Sequence, residues 1–134
     1  FSGSGGIGIE AISRGAKKAY FVEDAPKAIS CIQQNLAFTK FTDRGIVIKQ
    51  DALVGLHAVC EKQADIIFMD PPYEDGFEKR VLAVLKDMPY VTEDTMIIIE
   101  AALNTSFDNT EELGFELTRE KRYKTNKHVF LRRK

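Results

Sequence analysis

The segment Asp70-Pro71-Pro72-Tyr73 closes the run Asp65-Ile66-Ile67-Phe68-Met69, and it constrains the fold more than any other stretch of the chain. An apolar run of that length reads as a buried strand. The two prolines lack a backbone N–H and fix φ, so the strand cannot continue through them. The result is a rigid turn at the carboxyl end of a strand, carrying one carboxylate and one aromatic ring. A planar, amine-bearing base suits such a turn, with its amino group on the acid and its face on the ring.

The rest of the chain alternates helices with short apolar strands. A glycine-rich turn, Phe1 to Gly8, opens a helix from about Ile7 to Gly15. Ala19 to Glu23 reads as a strand. Asp24 then caps a helix with Pro26 in its first turn, running to about Phe38. Ile46-Val47-Ile48 is the next strand, followed by a helix from Ala52 to about Lys62 on the spacing of Leu53, Leu56, Val59 and Cys60. After the strand ending at Asp70, Phe77, Val81, Leu82 and Leu85 mark a helix that Pro89 ends. Thr95 to Glu100 is a central strand, and 107–113 is expected as a short helix closed by Gly114. Phe115 to Arg122 and His128 to Arg132 finish the chain as a hairpin around Lys124-Thr125-Asn126. This order predicts an α/β fold, a mostly parallel doubly wound sheet with an antiparallel C-terminal edge, in one domain spanning 1–134.

With 44% hydrophobic and 29% charged residues, the composition is that of a soluble globular chain. Its apolar runs are too short for a membrane span, and no signal-peptide pattern opens it. Cys31 and Cys60 lack ligand-like spacing and read as buried thiols of a reducing cytoplasm. The net charge of −1 does not advertise a nucleic-acid partner. The cations are nevertheless uneven. Arg119, Lys121, Arg122, Lys124, Lys127, His128, Arg132, Arg133 and Lys134 crowd the end of the chain against Glu120. That segment reads either as the charged face of edge strands or as a phosphate-contacting patch.

Gly3, Gly5 and Gly8 fit a G-x-G-x-x-G spacing at the start of a helix. Glycine lets a ligand approach the backbone, and a helix start offers unpaired N–H groups at the positive end of a dipole. Glu23 lies at the end of the next strand, where an acid can accept from ribose hydroxyls. Loop and acid together indicate a nucleoside cofactor without saying which. A nicotinamide dinucleotide and S-adenosylmethionine both carry the ribose. Asp51 ends the following strand and either contacts an adenine amino group or caps the helix beginning at Ala52.

The proline turn decides between the cofactors. His57 and His128 are the only histidines, read as a helix-surface and a strand residue, so a hydride site lacks its usual proton carrier. An amine attacking a methyl sulfonium needs its lone pair freed and aimed. The Asp70 carboxylate and the Pro71 carbonyl could accept from that amine while Tyr73 stacks on the base, with no metal and no covalent nucleophile.

Here the residues resemble a known family. Residues 1–16, Phe-Ser-Gly-Ser-Gly-Gly-Ile-Gly-Ile-Glu-Ala-Ile-Ser-Arg-Gly-Ala, are similar to motif I of the bacterial RsmD-type methyltransferases. Residues 20–24, the pair Asp51-Ala52 and Asp70-Pro71-Pro72-Tyr73 continue the match in order. The resemblance implies a Rossmann-like S-adenosylmethionine fold. It places Phe1, Gly3, Ser4, Gly5, Glu23, Asp51 and Ala52 around the cofactor, and Asp70, Pro71, Pro72 and Tyr73 at the acceptor base. The implied reaction is methylation of the exocyclic N2 of a guanine in small-subunit ribosomal RNA, free or in an assembling particle. An adenine-N6 DNA methyltransferase, a nicotinamide oxidoreductase and a non-catalytic nucleoside- or RNA-binding module are the other readings. The family carries a strand and a basic extension ahead of motif I that this sequence does not show. An incomplete sheet is the resulting expectation, completed by a partner chain or leaving the cofactor site weakened.

Overall fold

Pro26 stands at the start of the second helix because a helix start needs no N–H there and its fixed φ already suits the turn. That helix illustrates how the first part of the chain is built. The computed structural model describes residues 1–71 and 76–134. They form two units, Phe1–Val59 and Cys60–Lys134. Among the described residues no helix is long and apolar enough to cross a membrane.

The first unit contains α1 (Gly6–Ser13), β1 (Ala19–Glu23), α2 (Pro26–Thr39), β2 (Gly45–Lys49) and a single-turn α3 (Ala52–Gly55). β1 and β2 pair in parallel, from Ala19 opposite Gly45 to Glu23 opposite Lys49. The core is Phe21 from β1 with Ile32 and Leu36 from α2, joined by Ile9, Ala19, Phe41 and Val47. Gly45 permits this closeness, since a Cβ there would lie 2.6 Å from a Leu36 methyl. The Arg44 guanidinium ties the end of α1, donating to the carbonyls of Ile12 and Ala16.

The second unit contains β3 (Ile66–Met69), α4 (Phe77–Lys86), β4 (Met96–Ala102), β5 (Phe115–Arg122) and β6 (Asn126–Arg133) in the sheet order β3-β4-β6-β5. β3 and β4 are parallel, with Met69 opposite Ile99. β4–β6 and β6–β5 are antiparallel. Alternation buries Ile97, Ile99 and Ala101 on β4, with Lys127, Val129 and Leu131 on β6. On α4, Val81, Leu82 and Leu85 are buried, the i, i+1, i+4 face of an amphipathic helix. Thr95 is fully buried and clamps the loop before β4, its hydroxyl donating to the Ala64 carbonyl at 2.6 Å and accepting from Thr92 N at 3.0 Å.

The expected elements are present, with five differences. The N-cap of α2 is Ala25, without a side-chain hydrogen bond, where Asp24 was expected to cap the helix. The strands lie in two sheets, one in each unit, where the sequence pattern suggested one. The helix expected from Ala52 to Lys62 is a single α turn and a 3-10 turn, Leu56–Ala58, after which Val59 is extended. Gly55 pins this short segment, because a Cβ there would lie 2.6 Å from a Val22 methyl. Residues 107–113 form successive turns through i→i−3 bonds, Thr110 N to Phe107 O and Leu113 N to Thr110 O, and no helix. Cys31 and Cys60 are exposed rather than buried. Cys31 sits beside the buried Ile32 but off the Ile32–Leu36 stripe, and Cys60 follows the shortened helix.

Candidate functional site

In the first unit the glycine turn is held by the acid at the end of β1. Gly3 and Gly5 adopt φ of 54° and 81°, the left-handed region that glycine enters without a Cβ penalty. Gly5 N donates to Ser2 O at 2.8 Å, closing the turn, and Gly5 serves as the N-cap of α1. The side-chain amide of Asn35 on α2 donates to Ser4 O at 2.9 Å. The Phe1 amino nitrogen donates to the carbonyl of Val22 at 2.9 Å, beside β1.

Glu23 is buried, at 8% exposure, and takes four backbone N–H groups. Its Oε1 accepts from Ser2 and Gly3 at 2.9 and 3.0 Å, and its Oε2 from Asp24 and Ala25, both at 3.2 Å. Burial pushes its pKa up, but the N–H groups of Ala25 and Gly3, the Phe1 ammonium and the N–H of Ser2 together outweigh it and hold the carboxyl below its ordinary value. A carboxylate offers about four lone-pair sites. Glu23 therefore fastens the glycine turn in this arrangement instead of presenting free oxygens to a ribose. Above the turn there is room. A Cβ on Gly3 would meet nothing within 4 Å, and the first turn of α1 has no side-chain cap. An open turn at an uncapped helix start fits a carboxylate-bearing nucleoside such as S-adenosylmethionine.

Asp51 is exposed and caps α3, accepting from Leu53 N at 3.1 Å, with Ala52 as the first helical residue. Of its two expected roles, the structure displays the cap.

In the second unit, Asp70 follows the last residue of β3 and Pro71 behind it is buried. Pro72 and Tyr73, the other two residues expected at the acceptor base, lie outside the described residues. Asp70 has company that sequence reasoning missed. Because Met69 pairs with Ile99, the neighbour of Asp70 on β4 is a second acid, Glu100. Glu100 Oε1 in turn lies 3.0 Å from Nε2 of His128 on β6. The Asp70 carboxyl is pushed up to about 6, by desolvation first and then by its hydrogen bond to Glu100 and the repulsion between the two acids. Asp70 is exposed by surface area, so solvent weakens the first cause and the neighbouring acid carries more of the effect. The His128 ring meets Phe68 edge-on at 6.1 Å and Tyr123 at 4.9 Å between centroids. One clue was legible in the sequence. Two parallel strands each with an acid near the carboxyl end place those acids together. His128 joins them only through the hairpin register, which no spacing rule reveals.

The C-terminal cations divide on inspection. Lys127 is buried and tied to Glu120 Oε1 at 2.9 Å and to Thr105 O at 2.7 Å. Arg122 also reaches Glu120, and Arg132 donates to the carbonyl of Asp94. Lys121 and Lys124 are exposed near the hairpin turn, the first with its ammonium 5.5 Å from the centre of the Tyr123 ring.

Residues 1–132 match the family profile described as conserved hypothetical protein 95, the RsmD-type methyltransferase family. The chain belongs to that family. It is 34% identical over 100 residues to ribosomal RNA small subunit methyltransferase D of Buchnera aphidicola, covering 75% of this chain and 52% of that protein. The chain spans about half the length of the first curated relatives it matches. A solved conserved hypothetical protein of Streptococcus pyogenes superposes with a TM-score of 0.88 at 29% identity, over 100% of this chain and 82% of that one. The ribosomal protein L11 methylase of Lactobacillus delbrueckii subsp. bulgaricus shares the fold at a TM-score of 0.77 and 18% identity, over 99% and 67%. The fold is the Rossmann-like one of S-adenosylmethionine-dependent methyltransferases.

Proposed function

We propose that this chain is the catalytic part of an S-adenosylmethionine-dependent methyltransferase that modifies the exocyclic N2 amine of a guanine in small-subunit ribosomal RNA. The observation that carries the reading is the acid at the carboxyl end of β3, followed by a buried proline and backed by Glu100. Membership in the RsmD-type family and the name of the Buchnera relative support the ribosomal RNA substrate.

When bound, S-adenosylmethionine supplies an electrophilic methyl group. The backbone of Gly3, Ser4 and Gly5 and the start of α1 would hold its carboxylate end. Glu23 keeps that turn in shape, and Asp51 stands for the adenine end. Asp70 and the Pro71 carbonyl accept from the target amine and orient its lone pair, while Tyr73 stacks on the base. Orientation and fixed charge supply most of the acceleration. In this reading residues 1–134 make up a single catalytic domain. Lys121 and Lys124 lie on the hairpin that carries Tyr123 beside His128, where they can grip phosphates of the flanking RNA.

The deciding experiment has two stages. Calorimetric titration with S-adenosylhomocysteine, with NADH as control, is expected to show saturable binding of the first alone. Transfer of a labelled methyl group to small-subunit ribosomal RNA, followed by digestion and mass spectrometry, is then expected to place the label on guanosine N2. Label on adenine N6 would assign the other amine chemistry, and binding of NADH alone would overturn the methyltransferase reading.

A further inference from the structure

Asp70, Glu100 and His128 form a chain of three titratable groups across three strands. Met69 on β3 pairs with Ile99 on β4, so Asp70, just past the end of β3, and Glu100 within β4 are the next residues along the two strands and stand as neighbouring acids. Two neighbouring carboxyls repel when both are ionised, so a proton on either relieves the other. Glu100 is the register partner of His128 across β4–β6, and their side chains meet at 3.0 Å. The edge-on contacts of Phe68 and Tyr123 fix the plane of the His128 ring. Lys121 on β5 is the next register partner along this row, its ammonium over the Tyr123 ring. Side-chain exposures of 24% for Glu100 and 25% for His128 leave the far end of the row open to water.

We propose that Asp70 and Glu100 act as one proton site, with Glu100, held by His128, as a positioning residue for Asp70, and that the pair takes the proton the target amine loses and returns it to water. The inference rests on the amine-methylating reading given above. As the amine nitrogen gains its methyl group it becomes positively charged. One N–H bond then breaks, its electron pair stays on nitrogen, and the proton forms an O–H bond within the carboxyl pair. Nε2 of His128 donates to Glu100 and holds that carboxyl beside Asp70. The exposed Asp70 carboxyl then releases its proton to solvent, and the pair returns to its starting charge. The raised proton affinity of Asp70 suits this role, because an ordinary aspartate would hold a proton too weakly near neutral pH.

The test begins without cofactor or RNA. Carbon-13 NMR of the Asp70 carboxyl, in protein labelled at aspartate, should give a midpoint well above the ordinary 3.8. In Glu100→Gln, which keeps the shape and removes the charge, the midpoint should fall by a unit or more. An unmoved midpoint overturns the shared site. His128→Gln provides a second, independent reading with both acids intact. Loss of the cation beside the pair should raise the Asp70 midpoint further, and a fall would overturn the arrangement. With cofactor and RNA, the acid limb of the kcat–pH profile should move with the NMR midpoint in Glu100→Gln. Activity at pH 5, relative to the plateau, should then rise about fivefold for a one-unit move from about 6. A limb that stays in place overturns the role in the reaction. NMR shifts as expected in a wild-type chain that methylates nothing would instead bring down the proposed activity and leave the shared proton site standing.

Discussion

A Cβ placed on Gly8 would lie 2.4 Å from Cε2 of Phe21 and 2.7 Å from its Cζ. Helix α1 thus rests directly on the ring at the centre of the first unit's core. Phe21 is 2% exposed and packs with Ile32 and Leu36, so it has little room to retreat. Gly8→Ala should therefore destabilise the protein by about 1–3 kcal/mol through overpacking, despite the better helix propensity of alanine. Denaturant titration measures the loss. Adding Phe21→Leu should recover part of it, a coupling that a double-mutant cycle would isolate. Gly8→Ala without effect would mean that the ring moves freely.

Glu23→Gln replaces a carboxylate serving four backbone donors with one oxygen and an amide that faces two of those donors. The glycine turn should loosen, and affinity for S-adenosylhomocysteine should fall about tenfold or more. The pH dependence has a defined sign. The folded-state pKa of Glu23 is below its ordinary 4.5, so its contribution to stability is complete above 4.5 and is lost as pH falls through the lower folded value. Thermal melts of the variant should be flatter than wild type over that acidic interval. Matching acid profiles would show that the four N–H bonds contribute nothing.

Much of this was readable from the chain, for physical reasons that differ by element. The strands at Ala19–Glu23 and Ile66–Met69 stood out because apolar runs ending in an acid or a proline leave few alternatives. The glycine spacing and Glu23 were also legible, yet the direction of Glu23 was not. Sequence places an acid at a strand end and cannot say whether backbone donors will fill its lone pairs. The segment after Ala52 went wrong because Leu53, Leu56 and Val59 satisfy helical spacing whether one turn forms or three. Glu100 and His128 went unnoticed for a different reason. Their meeting depends on β4–β6 register, a property of the assembled sheet.

Lys127 separates structural charge from available charge at the chain's basic end. It is 5% exposed, and its ammonium serves Glu120 and Thr105. Lys127→Ala should cost about 2–3 kcal/mol by stranding part of that pair and removing a buried aliphatic stem. Chemical denaturation is the measurement, and a cost below about 0.5 kcal/mol would place the pair among ordinary surface contacts.

Lys121 and Lys124 should behave in the opposite way. Both are exposed, so changing them to glutamine should leave the melting temperature nearly unmoved. If they contact phosphates, each lowers the slope of log affinity against log salt by about 0.7–0.9 when neutralised. Binding of small-subunit ribosomal RNA to the double variant, measured from low to moderate salt, should show a slope reduced by about 1.5. An unchanged slope would assign both lysines to a solvated edge.

Asp70→Asn joins stability to chemistry with a sign that a merely structural acid would not give. The folded value of about 6 lies above the ordinary 3.8, so the folded state holds this proton more tightly than the unfolded chain. Stability from this group is therefore present below 3.8, declines as pH rises towards about 6, and stays lower above it. Asparagine cannot ionise, so the variant should melt at or slightly above the wild-type temperature at pH 7. The gain should be small, because Asp70 is exposed and solvent screens the repulsion from Glu100. It should shrink towards zero as the pH approaches 4. Methyl transfer should nevertheless fall by at least a hundredfold, about 3 kcal/mol of lost transition-state stabilisation, while affinity for S-adenosylhomocysteine stays within a few fold. A variant that melts lower at pH 7 and loses cofactor affinity in parallel would make Asp70 a folding residue and remove it from the reaction.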